Sequence, residues 1–80
     1  MTIHTILATR TGFVELLVNL NDKVKVGEKV AIQRNTFGEV VAEYTTGVTG
    51  EVAARRTDPT AEPGIPLVFI LPEDSVVYFE

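Results

Sequence analysis

Eighty residues with a net charge of −4, 45% hydrophobic side chains and no cysteine describe one small domain with a thin core. The missing cysteines remove disulfides, thiolate metal ligands and cysteine nucleophiles, and fit a reducing, cytoplasmic setting. The negative charge argues against nucleic acid, which needs clustered Lys and Arg, and no apolar run approaches the roughly 20 residues that cross a bilayer, so no membrane partner is expected.

Residues 2–8 alternate, with Ile3, Thr5 and Leu7 on one side and His4, Ile6 and Ala8 on the other, and read as a first strand. After the turn Arg10-Thr11-Gly12, residues 13–20 carry Phe13, Leu16, Leu17, Val18 and Leu20, a spacing on which one or two helical turns are conceivable. A strand is favoured, because Gly12 opens the segment, no helix cap sits in place and the Asn21-Asp22 turn follows at once.

Val24 and Val26 are predicted to share one face and Lys23 and Lys25 the other, before Gly27 leads into a strand over 29–34. Asn35 to Gly38 reads as a turn, since Asn tolerates and Gly favours left-handed backbone. Over residues 39–46, Val40, Ala42 and Tyr44 form the more apolar side and Val41, Glu43 and Thr45 the other. Gly47-Val48-Thr49-Gly50 reverses the chain into a short strand over 51–55. Asp58-Pro59 and Glu62-Pro63-Gly64 bound a brief extended piece. Residues 66–71 form the most apolar run, a buried strand, and 75–80 a last extended tail. No stretch sustains a 3.6-residue period, so the fold class is all-β, built of short strands with Gly and Pro turns.

The chain also repeats itself. Gly12-Phe13-Val14, Asn21-Asp22, Gly27 and Val30-Ala31-Ile32 match Gly50-Glu51-Val52, Thr57-Asp58, Gly64 and Leu67-Val68-Phe69, with an offset of 38 at the first glycine and 37 at the second. Two such halves, neither able to bury its apolar face alone, are expected to pack about a pseudo-two-fold axis.

Few side chains suggest chemistry. His4 is a lone imidazole, which points to packing rather than metal ligation. Glu39 and Glu43 have the even spacing that places two carboxylates on one strand face. Arg55-Arg56 beside Asp58 either pair locally or clamp an anion bidentately. Phe37 stands at the tip of a hairpin, where an aromatic either docks on a partner or folds back over the end of the barrel.

This arrangement resembles the barrel-sandwich hybrid of biotinyl and lipoyl carrier domains, whose central hairpin bears the modified lysine. Asp22-Lys23-Val24-Lys25-Val26-Gly27-Glu28 is similar to the carriers' Gly-Asp-x-Val-x-x-Gly-Glu, with Asn21 in place of the first glycine, and Thr49-Gly50-Glu51-Val52 is similar to their Ser-Gly-x-Val. Lys23, Lys25 and Lys29 all precede the hairpin, which holds no amine to acylate, so neither biotin nor lipoate is expected.

A closer likeness covers about residues 3 to 71. Ala8-Thr9-Arg10-Thr11-Gly12-Phe13, Asp22-x-Val24-Lys25-x-Gly27-Glu28, Asn35-x-Phe37-Gly38-Glu39-Val40, Gly50-Glu51-Val52 and Pro63-Gly64-x-Pro66-Leu67 resemble the C-terminal domain of the succinylglutamate desuccinylase/aspartoacylase family. These are zinc-dependent hydrolases that remove acyl groups. The family has Asp where this chain has Asn35. The resemblance implies that residues 1–80 form a single accessory domain of a larger zinc deacylase acting on an N-acyl amino acid or similar amide.

The zinc would belong to the parent's catalytic domain, held by a His-x-x-Glu motif and a later His that this chain lacks. No catalytic, cofactor or metal residue is therefore expected here. Phe37, Asn35, Glu39 and Arg55 become the candidates for docking on that catalytic domain or lining its entrance, with a homo-oligomer as a further form of assembly. The alternative is a stand-alone lipoyl-like adaptor that binds a protein partner.

Overall fold

A computed structural model describes residues 3–73. Eight strands follow in order: β1 (His4–Leu7), β2 (Gly12–Leu16), β3 (Lys23–Val24), β4 (Lys29–Arg34), β5 (Val40–Thr45), β6 (Gly50–Arg55), β7 (Thr60–Ala61) and β8 (Pro66–Pro72). They build two antiparallel four-stranded sheets, β1-β8-β6-β3 and β5-β4-β2-β7. No α-helix occurs among the described residues, and the all-β class follows from the short alternating segments. The tail expected over 75–80 lies outside the described residues.

The repeat is the symmetry of this topology. Exchanging β1, β2, β3 and β4 with β5, β6, β7 and β8 respectively converts the order β5-β4-β2-β7 into β1-β8-β6-β3. Each sheet takes its two central strands from one half and its two edges from the other, so neither half completes a sheet alone. Loop bonds repeat as well. Gly27 N–H donates to Thr46 O at 2.8 Å as Gly64 N–H does to Ala8 O at 2.8 Å. Val52 N–H donates to Asp22 O at 2.9 Å as Val14 N–H does to Pro59 O at 2.7 Å. Gly27 and Gly64 both sit at φ 89°, a left-handed conformation that L side chains rarely adopt, which explains glycine at both places.

The core lies between the sheets and is made of Val24, Val30, Val52, Leu67, Val68 and Ile70, joined by Ile6, Ala8, Val18 and Tyr44. Burying each Val, Leu or Ile contributes about 1.5–3 kcal/mol, enough to hold a domain of this size against its chain entropy only because both halves share one core.

Four expectations change. The strand from 13 ends at Leu16, because Asn21 adopts φ 70° and the 19–22 turn closes with Asp22 N–H donating to Asn19 O at 3.2 Å. Val18 still reaches the core, whereas Leu17 and Leu20 are exposed. Val26 does not share the core with Val24. β3 stops at Val24, and Val26 is 64% exposed in the following turn. In β5 the register passes from Gln33↔Ala42 to Arg34↔Val40, making Val41 an extra, bulged residue. That bulge turns Val40 outward, while Ala42 and Tyr44 keep the inner face. It also separates Glu39 from Glu43. Glu39 precedes the strand, and Glu43 instead pairs with Lys29 at 2.9 Å, so the two carboxylates do not share a strand face.

Candidate functional site

The hairpin between β4 and β5 is held by two side chains, Asn35 and Arg34. Asn35 Oδ1 accepts from the N–H groups of Phe37 at 2.9 Å and Glu39 at 3.0 Å, an arrangement short amide or carboxylate side chains form readily. The Asn35 backbone completes the turn, its N–H donating to Glu39 O and its carbonyl accepting from Gly38 N–H. Arg34 donates from Nη1 to Gly38 O at 2.9 Å, and Gly38 supplies the left-handed residue at φ 82°. An Asp at position 35 would accept the same two bonds through its own Oδ1, so this turn needs the acceptor oxygen and not its charge.

Phe37 stands on this frame with 85% of its surface exposed and does not fold back on the barrel. Two other apolar side chains lie near it. Register places Thr60, Phe13, Arg34 and Val40 in one row across β7, β2, β4 and β5, and both Phe13 and Val40 are exposed. Beside the row is a hollow of about 350 Å³ lined by Gly12, Phe13, Thr36, Arg56 and Thr60 among others. Its pseudo-symmetric counterpart is lined by Gly50, Glu51, Glu73, Lys23 and Lys25. The hairpin hollow is thus the one that carries the aromatic ring.

Arg56 and Asp58 pair locally. Arg56 Nη2 lies 3.3 Å from Asp58 Oδ2, and its Nε donates to Thr60 O at 2.9 Å. Thr60 donates to Asp58 Oδ1 from both its backbone N–H and its hydroxyl at 3.0 Å. The Thr60 N–H first, then its hydroxyl and the Arg56 charge, hold the Asp58 carboxyl below the ordinary carboxylate value. A depressed folded value contributes stability at higher pH that is lost as pH falls through it. Asp58→Asn is therefore expected to reduce the loss of melting temperature on acidification below about pH 4, measured by thermal scans across that range. Arg55 is exposed and has no ion-pair partner among the described residues. It is Arg56 that lines the hollow beside Phe13.

Below the hairpin lies a buried polar network. Tyr44 Oη donates to Gln33 Oε1 and accepts from Thr9 N–H at 3.0 Å, while Gln33 Nε2 donates to Arg10 O at 2.8 Å. It ties the β1–β2 connection to the sheet that bears the hairpin.

Of the sequence candidates, Asn35, Phe37 and Glu39 meet in one turn. Phe13 and Val40 were not among them. Phe13 had a signal, since the repeat aligns it with Glu51, a polar residue at an outward position. Val40 had none, because its exposure depends on the bulge.

His4 packs beside Gly47, where an added methyl would lie 3.4 Å from its ring. No three His, Cys, Asp or Glu side chains come together among the described residues in a way that could hold a metal ion. Comparison with models of known protein families finds no match, and no curated protein matches the chain.

Proposed function

We propose that this chain is a non-catalytic accessory domain, of the type found at the C-terminus of succinylglutamate desuccinylase/aspartoacylase deacylases, that docks through its 35–39 hairpin on a catalytic domain. One observation carries the reading. The most exposed large apolar side chain among the described residues, Phe37, tops a turn braced by the Asn35 side chain and by backbone bonds between Asn35, Gly38 and Glu39. Such a tip loses little conformational entropy on docking, and its aromatic surface is removed from water when it does. Phe13 and Val40 extend the contact, and Glu39 with Arg56, which lines the hollow beside Phe13, provides a polar rim, the usual composition of an interface.

The parent reaction in this reading is hydrolysis of the amide bond of an N-acyl amino acid or similar compound. Zinc and its ligands would come from the catalytic domain. This domain would border the substrate entrance and support assembly. The motif matches of the hairpin and the two Gly-Glu corners support it.

The test is twofold. The reading frame that encodes this chain should contain an upstream His-x-x-Glu followed by a distant His. The purified 80-residue chain should neither bind zinc stoichiometrically nor hydrolyse N-acyl amino acids. Hydrolysis by this chain alone would overturn the accessory role. A frame lacking the motif would overturn the deacylase parentage and leave the tip to a protein partner of a lipoyl-like adaptor.

A further inference from the structure

We propose that the outer edge of β1 is a homodimer interface, at which a second copy of this chain adds its own β1 in antiparallel register. This surface is separate from the hairpin and does not depend on its docking.

The two sheets have four edges, β1, β3, β5 and β7. Exposed edges present unpaired N–H and C=O groups, and proteins guard them with charge, proline, bulges or brevity. Three of these edges are guarded. β3 has two residues, with Lys23 in it and Lys25 just after. β7 has two residues between Pro59 and Pro63. β5 is bulged at Val41 and carries Glu43.

β1 has no such charge, proline or bulge, and is twice as long as β3 or β7. Its residues are His4, Thr5, Ile6 and Leu7, without Lys, carboxylate or proline. The irregularity in its pairing, between Ile6↔Val68 and Leu7↔Pro66, places the extra residue, Leu67, on β8 and leaves β1 regular. Among the described residues no strand pairs with its outer side. β5 is its pseudo-symmetric counterpart, so the same position in the fold is guarded in one half and open in the other.

The occupant follows from self-complementarity. Opposed residues of an antiparallel pair lie on the same face, so a two-fold axis must pass through a residue and not between two. With the axis at Thr5, Thr5 meets Thr5 of the second copy, Ile3 meets Leu7, and His4 meets Ile6. Threonine pairs and apolar pairs are favourable cross-strand neighbours, and no carboxylate meets another. Ile3 and Leu7 are 48% and 47% exposed in the single chain, and both would be covered. Phe69, the partner of Thr5 on β8, continues the apolar stripe inward. So short an edge buries less than the about 1,200 Å² of a standard stable interface, which places it among weak associations.

Sedimentation equilibrium over roughly 10 µM to 1 mM tests this, a span chosen to bracket a weak interface. The wild-type chain should pass from the mass of one chain to that of two. Thr5→Lys, which sets two ammonium groups face to face, and Leu7→Lys, at an exposed side chain, should weaken association at least tenfold. Val26→Lys, the same charge in an exposed turn, should associate like wild type. Leu7→Lys keeps the test decisive if Thr5→Lys fails to fold. A wild-type chain that stays monomeric to the top concentration, or a folded Leu7→Lys that dimerises like wild type, would overturn the proposal.

Discussion

Gly50→Ala is expected to lower stability by about 3 kcal/mol, the upper part of the range for overpacking. A methyl group built there would overlap the carbonyl oxygen of Leu71, with the Leu71 carbonyl carbon and Pro72 Cα 2.9 Å away. All three are backbone atoms of β8, which is hydrogen-bonded to β1 on one side and β6 on the other. No rotamer change relieves such a contact. The strands must separate, and close packing passes that strain into the core. An 80-residue domain has a net stability of only about 4–12 kcal/mol, so the loss is a large part of the whole.

Gly12→Ala should behave alike, since its methyl would sit 2.5 Å from Arg34 O at the pseudo-equivalent place. Gly47→Ala, facing only the His4 ring at 3.4 Å, should change stability by less than about 1 kcal/mol. Urea unfolding of the three variants measures the contrast. Equal midpoints for Gly50→Ala and Gly47→Ala would deny the close approach of β6 to β8.

The second large effect is expected in the buried network. Tyr44→Phe removes one hydroxyl and strands two partners, the Thr9 N–H and Gln33 Oε1. Gln33 Oε1 is the buried one of the two, and a buried group left without a partner costs about 1–3 kcal/mol, so a loss of about that size is expected. Gln33 is fully buried, and Gln33→Leu takes the acceptor from the Tyr44 O–H, which keeps only the Thr9 N–H, and the donor from Arg10 O. The double variant replaces both partners with apolar groups. Its loss should fall short of the sum of the two single losses, the non-additivity of groups in one network. Strict additivity in chemical denaturation would show that the two side chains do not act together.

These two sites illustrate what the sequence makes legible. The strand predicted over 29–34 coincides with Lys29–Arg34, because Gly27 and the Asn35 turn bound the segment around Val30 and Ile32 on both sides. The repeat was readable because its two left-handed glycines and its two close strand approaches each demand glycine, and a backbone requirement leaves a residue-type trace. The face of Val40 was not readable. A bulge depends on how β4 and β5 pair, and an alternation rule assumes that no residue is inserted. Val26 misled for a related reason, since alternation continues in the letters after the strand itself has ended. The Tyr44–Gln33–Thr9 network joins positions 35 and 11 residues apart, and only the packed sheets bring them together. Phe37 was identifiable as a hairpin tip, but its exposure was not, because docking and folding back use the same residues. Asn35 shows why: its two bonds hold the turn and leave the neighbouring ring outward.

The proposed docking of the 35–39 hairpin is decided by binding to the catalytic domain that the proposal assigns as its partner, produced separately, with this chain compared against its Phe37→Ala variant. The variant should melt within about 0.5 kcal/mol of wild type, as expected where an exposed side chain supports nothing beneath it. It should bind about tenfold or more weakly, as expected for an aromatic anchor. A Phe37→Ala chain that loses stability heavily, or one that remains as stable as wild type and binds equally well, would contradict the account.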